Sequence, residues 1–298
     1  MSFPLKQYLE KKRGIVEAGL RQVFKNRGDC PVQLWDSMGY SVFAGGKRLR
    51  PILCLASAEA VGLPRSAALR IACALELIHT YSLIHDDLPA LDNDDFRRGN
   101  PTNHKVFGEA MAILAGDGLL TLAFEWIGDP KGYPARLHPL LGATVWDLAR
   151  SAGYSGMVGG QVDDVISEGQ KPSLSHVLSI HRRKTGALLA ASVRLPAVLA
   201  GSPTKVHRAL EIYGRDAGLA FQVVDDVLNE TGDAAQLGKA VGSDRARGKM
   251  TYPAAVGLEA SRREIQRLTQ SAVDGLKPLG PKAEPLRALA LHMANRTV

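Results

Sequence analysis

Two apolar helical stretches in this chain carry carboxylates where a helix face should be buried, and that conflict limits what the chain can fold into. The first is Leu83-Ile84-His85-Asp86-Asp87-Leu88-Pro89-Ala90-Leu91-Asp92-Asn93-Asp94-Asp95-Phe96-Arg97-Arg98-Gly99. Five aspartates fall within ten positions there, directly after an apolar run and directly before two arginines and a glycine. Adjacent carboxylates repel and raise each other's pKa, so a cation must offset them. Mg2+ suits this task, using one or two carboxylates together with waters and phosphate oxygens. The arginines suit anionic oxygens, because a guanidinium fork matches phosphate geometry. Acid for metal beside base for phosphate reads as a metal-diphosphate site; for this run alone, a solvated acidic loop is the alternative.

The second centre is Phe221-Gln222-Val223-Val224-Asp225-Asp226-Val227-Leu228-Asn229. At about 100° per residue, Asp225 and Asn229 share one helix face, with Gln222 on nearly the same stripe. The flanks are apolar, so these side chains point inward at a cost that needs a compensating cation. Two inward acidic helices more than a hundred residues apart predict a divalent-metal site shared between them. On the first helix His79 and Asp86 nearly eclipse each other, so His79 points where the aspartates point. The alternative is a core histidine bonded to a backbone carbonyl. Asp92 would lie about 120° from Asp86 on a continuous helix, but Pro89 interrupts that helix and lets a bulge swing Asp92 back.

Pro51 to Ala60 and Ala67 to His85 are rich in Ala, Leu and Ile without internal Gly or Pro, so they should be helices buried on most faces. Further helices are expected over 5–27, 31–44, 103–127, 135–152 and Ser175 to Gly201, with a helical closing segment over 254–298. Ala115-Gly116-Asp117-Gly118 permits close packing, and the glycine-rich Gly156 to Asp164 permits close approach of backbones or a ligand. Of the 298 residues, 45% are hydrophobic and only 6% aromatic, which supports a helical core and excludes global disorder. No repeat or linker divides the chain, so residues 1–298 are expected to form a single domain.

The net charge of +7 suits a protein that handles small polyanions. No Lys/Arg run interleaved with aromatics supports a nucleic-acid partner. Cys30, Cys54 and Cys73 follow neither zinc nor disulfide spacing. With no signal-like start and no uninterrupted apolar run of bilayer length, a cytoplasmic protein without membrane insertion is expected. Gly45-Gly46-Lys47-Arg48-Leu49-Arg50-Pro51 places three bases and exposed amides at a helix entrance, an anion-friendly place that is not a P-loop; a solvated basic turn is the alternative. Lys184 and Thr185 precede an apolar run that would face them inward, although a lone lysine is ordinarily at the surface. Lys239 and Lys249 lie in loops after the second acidic helix, within reach of a phosphate cluster.

These residues together resemble the trans-isoprenyl diphosphate synthase family, and within it the bacterial farnesyl diphosphate synthases. The likeness runs from about residue 30 to the C-terminus. It covers Gly45 to Pro51, His79 to Gly99, Gly156 to Gln161, Lys184-Thr185-Gly186, Phe221-Gln222 with Asp225-Asp226, and Lys249 to Pro253. The resemblance implies an all-α antiparallel bundle around a deep central cavity, usually as a homodimer. It also implies three Mg2+ ions, with Mn2+ as a substitute, held by Asp86, Asp92 and Asp225. Arg97, Lys184, Lys239 and Lys249 would grip the diphosphate of dimethylallyl or geranyl diphosphate. Lys47, Arg50, His79 and Arg98 would hold isopentenyl diphosphate, and Thr185 and Gln222 would line the allylic cation with oxygen dipoles. The resemblance puts Tyr81 at the cavity floor, where it fits a fifteen-carbon product. The family's second motif commonly ends in Asp where this chain has Asn229, which implies an active enzyme with a higher Mg2+ requirement.

Rival expectations differ in specific residues. A terpene cyclase has no use for a second diphosphate pocket, which the four residues of the isopentenyl site argue against. Tyr81 opposes a geranylgeranyl or longer-chain synthase. A silent partner subunit would be expected to have lost aspartates that are retained here.

Overall fold

The computed structural model describes residues 3–232 and 248–295. The Ala- and Leu-rich runs become the helices on which the rest hangs. In chain order these are α1 (Leu5–Val23), α2 (Val32–Phe43), α3 (Leu49–Val61), α4 (Arg65–Asp86), α5 (Asn103–Phe107), α6 (Glu109–Gly128) and α7 (His138–Ala152). They continue with α8 (Met157–Ile166), α9 (Leu174–Ile180), α10 (Ala187–Leu199), α11 (Thr204–Thr231), α12 (Tyr252–Val256), α13 (Leu258–Gly275) and α14 (Glu284–Ala294). Among the described residues, β structure is confined to Phe96–Arg97 paired antiparallel with Asn100–Pro101. The all-α expectation holds.

α4 is the central post. Ile71, Leu75 and Ile78 are fully buried, and the helix packs between α3 and α6. α11 is the second post, packed against α10 and α13. Each post brings one aspartate, Asp86 or Asp225, to the same cavity.

Several boundaries differ from the sequence expectation; the first helix, for one, ends at Val23 and not at residue 27. The 103–127 helix is broken at Gly108, whose φ of 84° ends α5 and starts α6. Residues 135–137 form a 3₁₀ turn ahead of α7. The glycine-rich 157–166 segment is a helix, α8, although glycine disfavours helix in isolation. The long apolar helix from Ser175 is interrupted by a π turn at His181–Gly186. Such a turn inserts an extra residue into the helical ladder and often marks a functional position.

By length and composition α4 and α6 could each cross a membrane, although neither is free of charge. α4 is mostly buried as a core helix, whereas only 33% of the apolar stretch of α6 is buried. The three cysteines are free thiols.

Arg48 anchors the basic loop ahead of α3. It is 2% exposed and sits in the left-handed region at φ 51°. Its Nε donates to Glu17 at 2.7 Å, its Nη1 to Glu76 at 2.7 Å and its Nη2 to the Val42 carbonyl at 2.6 Å. One guanidinium thus ties α1, α2 and α4 to the start of α3. Glu76 is itself 1% exposed, and a buried charge stripped of its partner costs about 3–5 kcal/mol. Arg48→Met is expected to destabilise the fold by that amount in urea denaturation. A loss below about 1 kcal/mol would show that the pair contributes little beyond its own desolvation.

Candidate active site

The first wall of the cavity forms where α4 stops. After Asp86 the chain meets Pro89 and folds back, so that the Asp92 N–H donates to the Asp86 carbonyl at 2.8 Å. Both side chains line a cavity of about 460 Å3. Asp87 turns the other way: it is 3% exposed and accepts from Arg97 Nε at 2.7 and 2.8 Å. Arg98 and Gly99 take φ 55° and 81°, forming the tight turn of the small hairpin and returning Arg97 towards Asp87.

α11 supplies the second wall. Gln222 and Asp225 line the cavity, whereas Asp226 is 4% exposed and faces the packing. It accepts from the Tyr252 backbone N–H at 2.7 Å and from Gln222 Nε2 at 3.2 Å, with His181 Nε2 at 3.2 Å. Because Asp226 pins the amide NH2, the Gln222 oxygen faces Thr185, whose hydroxyl donates to it at 2.8 Å. Asn229, one turn beyond Asp225, is buried and outside the cavity lining.

The π turn carries Lys184 and Thr185 into the gap between the walls. It can sit there because α8 presents Gly160: a Cβ at that position would lie 2.1 Å from the Lys184 backbone nitrogen. Lys184 Nζ pairs with Asp164 at 2.6 Å. Lys249 pairs with Asp92 at 2.9 Å and lies 3.8 Å from Asp164. The sequence pattern did not assign a role to Asp164 or Gln161, which α8 places at the site. The acidic pair Asp163-Asp164 inside a glycine-rich segment was the available signal.

The structure therefore brings Asp86, Asp92, Asp225, Arg50, His79, Tyr81, Arg97, Lys184, Thr185, Gln222 and Lys249 to one cavity. Lys47 is exposed and opens instead onto a neighbouring cavity of about 320 Å3 beside Phe221 and His292. Arg98 donates to the Gly45 carbonyl and lies outside the main cavity lining. Lys239 lies outside the described residues.

Burial holds the Asp86 carboxyl above its ordinary range; Lys184 pulls it back, and neighbouring Asp92 pushes it up again. Burial also lowers Arg50 to about 10, against the pull of Glu76 and Asp225. His79 is driven well below the usual histidine value, first by burial and then by Arg50, Arg98, Arg97 and Arg48. Its Nδ1 is buried with no hydrogen-bond partner among the described residues, so the carbonyl-bonded alternative does not hold at that atom.

The donor set fits Mg2+. Asp86, Asp92 and Asp225 supply carboxylate oxygens to the cavity, the donor type that Mg2+ takes together with waters and substrate oxygens. Lys249 on Asp92 shows that this carboxylate accepts a cation.

A cavity walled by carboxylates, edged with cations and set in an all-α bundle suits an anionic ligand. Residues 32–277 match the Polyprenyl synthetase family, and the chain belongs to it. It is 46% identical to a geranylgeranyl diphosphate synthase of Cyanophora paradoxa, over 99% of this chain and 97% of the relative. It is also 46% identical to a farnesyl diphosphate synthase of Geobacillus stearothermophilus, over 88% of this chain and 87% of the relative. The crystal structure of an FPP/GFPP synthase from Zymomonas mobilis matches with a TM-score of 0.86 at 35% identity, covering 99% of this chain and 100% of that one. The activity is that of a trans-prenyltransferase on isoprenyl diphosphates.

His79 gives the site a pH signature. Its folded pKa lies below the unfolded value of 6.5, so below about pH 6.5 the unfolded chain binds the proton more readily. Stability is then lost as pH falls towards the folded pKa. Between about pH 7 and pH 5 the melting temperature of the wild type should fall more steeply than that of His79→Gln. Parallel curves would mean that His79 protonates equally in both states.

Proposed function

We propose that the chain condenses isopentenyl diphosphate with dimethylallyl and then geranyl diphosphate to give farnesyl diphosphate, in a Mg2+-dependent reaction. The observation that carries this reading is Asp86 and Asp92 lining one cavity with Asp225, above a buried Tyr81. Asp86, Asp92 and Asp225 would hold three Mg2+ ions, or Mn2+ in their place. Bound there, the ions would neutralise the carboxylates and stabilise the departing diphosphate.

Lys184 and Lys249 bind the allylic diphosphate, leaving Asp164 and Asp92 as their resting partners, and Arg97 binds it while Asp87 holds its Nε; Lys239 joins them by resemblance. Arg50 and neutral His79 orient isopentenyl diphosphate, with Lys47 and Arg98 assigned to the same task by resemblance. The Gln222 oxygen, fixed through Asp226, and the Thr185 oxygen face the carbon that becomes cationic as the C–O bond breaks. The isopentenyl double bond attacks that carbon, and the released diphosphate takes the proton. Catalysis is by positioning and charge stabilisation, with no protein nucleophile.

Tyr81 is 6% exposed and closes the cavity five residues before Asp86. Its bulk favours the fifteen-carbon product over the twenty-carbon product of a geranylgeranyl synthase. Incubation with isopentenyl diphosphate and each allylic primer should give a fifteen-carbon product with Mg2+ and none after chelation. Tyr81→Ala should lengthen it, and chromatography showing an unchanged chain would sink the floor assignment.

We propose in addition that a second copy covers the outer face of α6 and α7, where Ile113, Leu114 and Trp146 are 46%, 53% and 61% exposed. Sedimentation equilibrium should show twice the 32.0 kDa chain mass, and Leu114→Glu should shift it towards the monomer. A monomeric wild type at micromolar concentration would refute this.

A further inference from the structure

We propose that His85 is a specificity-determining residue: with Tyr81 it forms the floor that stops the growing prenyl chain, and Gly116 sets where that floor sits. The inference rests on the reading of Tyr81 as the floor and extends it to a second helix.

Tyr81 and His85 are four apart on α4, hence neighbours on one helix face. Both line the cavity. Their rings meet edge to face, with centroids 5.8 Å apart at 79°, a favoured aromatic geometry. His85 is held from the far side by α6. Its Nε2 lies 3.1 Å from the Ile113 carbonyl, and since a carbonyl only accepts, Nε2 carries the proton.

The ring reaches that carbonyl through a gap in α6. A Cβ built on Gly116 would lie 2.0 Å from His85 Nε2, 2.5 Å from Cδ2 and 2.8 Å from Cε1. The space that any other residue would fill at 116 is taken by the imidazole. Tyr81 is therefore backed by a second ring clamped to another helix, and the floor is a two-ring unit.

Two substitutions then act with opposite sign. Removing the imidazole deepens the cavity towards α6 and frees the edge of Tyr81. Adding a methyl group at 116 drives the ring back towards Tyr81 and the cavity. A change of methylene size in an apolar pocket discriminates by about ten-fold or more.

The test is product chromatography with isopentenyl and geranyl or dimethylallyl diphosphate for the wild type, Tyr81→Ala, His85→Ala, Gly116→Ala and the double variant, with melting curves to confirm folding. His85→Ala should raise the ratio of twenty- to fifteen-carbon product about ten-fold, and Gly116→Ala should raise the ratio of ten- to fifteen-carbon product similarly. The double variant, whose new methyl group enters the vacated space, should return towards the wild-type distribution. If Tyr81→Ala lengthens the product while His85→Ala and Gly116→Ala leave it at fifteen carbons, the inference falls and the Tyr81 reading stands. If no variant changes chain length, both fall. Should His85→Ala lose turnover, Gly116→Ala decides alone: shorter products support the two-ring floor, and unchanged or longer ones overturn it.

Discussion

Placing carboxylates in a cavity between buried helices is the constraint on which the rest of the structure depends. Ionised side chains in such a setting need cations and hydrogen bonds around them. The protein meets that need by dividing each aspartate pair. Asp86 and Asp225 face the cavity, while Asp87 and Asp226 face the packing and fix the surrounding groups. Asp87 orients Arg97. Asp226 orients Gln222 and, through the Tyr252 N–H, the start of α12 just after Lys249. One carboxylate of each pair is available for chemistry and its neighbour keeps the architecture in register.

The lysines complete the arrangement. Lys184 and Lys249 come from segments far apart in sequence, yet both come within 4 Å of Asp164. The chain Lys184–Asp164–Lys249–Asp92 thereby ties the π turn and α8 to the first wall before any substrate arrives. α6 has two roles as well: its outward face exposes Ile113 and Leu114 among polar residues, and its inward face receives the His85 ring.

The features legible in the sequence were those that repeat at helical period. The face shared by His79 and Asp86, the inward direction of Gln222 and Asp225, and the return of Asp92 after Pro89 all come from local geometry. The features that stayed hidden depend on distant partners. Arg48 read as one of three bases at an anion-friendly helix entrance or a solvated turn, and only Glu17 and Glu76 from other helices make it a buried anchor. Lys47, beside it and assigned by resemblance to the isopentenyl site, is exposed. Asp164 could not be placed because its segment is dense in glycine, which hides a helix from propensity until Gly160 is seen against the Lys184 backbone. The helix break at Gly108 was equally silent, since an isolated glycine inside a helical pattern is compatible with either outcome.

The π turn at His181–Gly186 has a consequence that concerns length and not side-chain identity. One surplus residue is absorbed within the turn and sets the angular phase of Lys184 and Thr185 relative to α10. Deleting a residue of the turn would restore an ordinary ladder and re-aim the residues that remain in the segment, while α9 and α10 keep nearly their present orientation. Arg182, exposed on the turn, could change its chemistry and leave that phase intact. In this segment the residue count is the fixed quantity on which the aim of Lys184 and Thr185 depends.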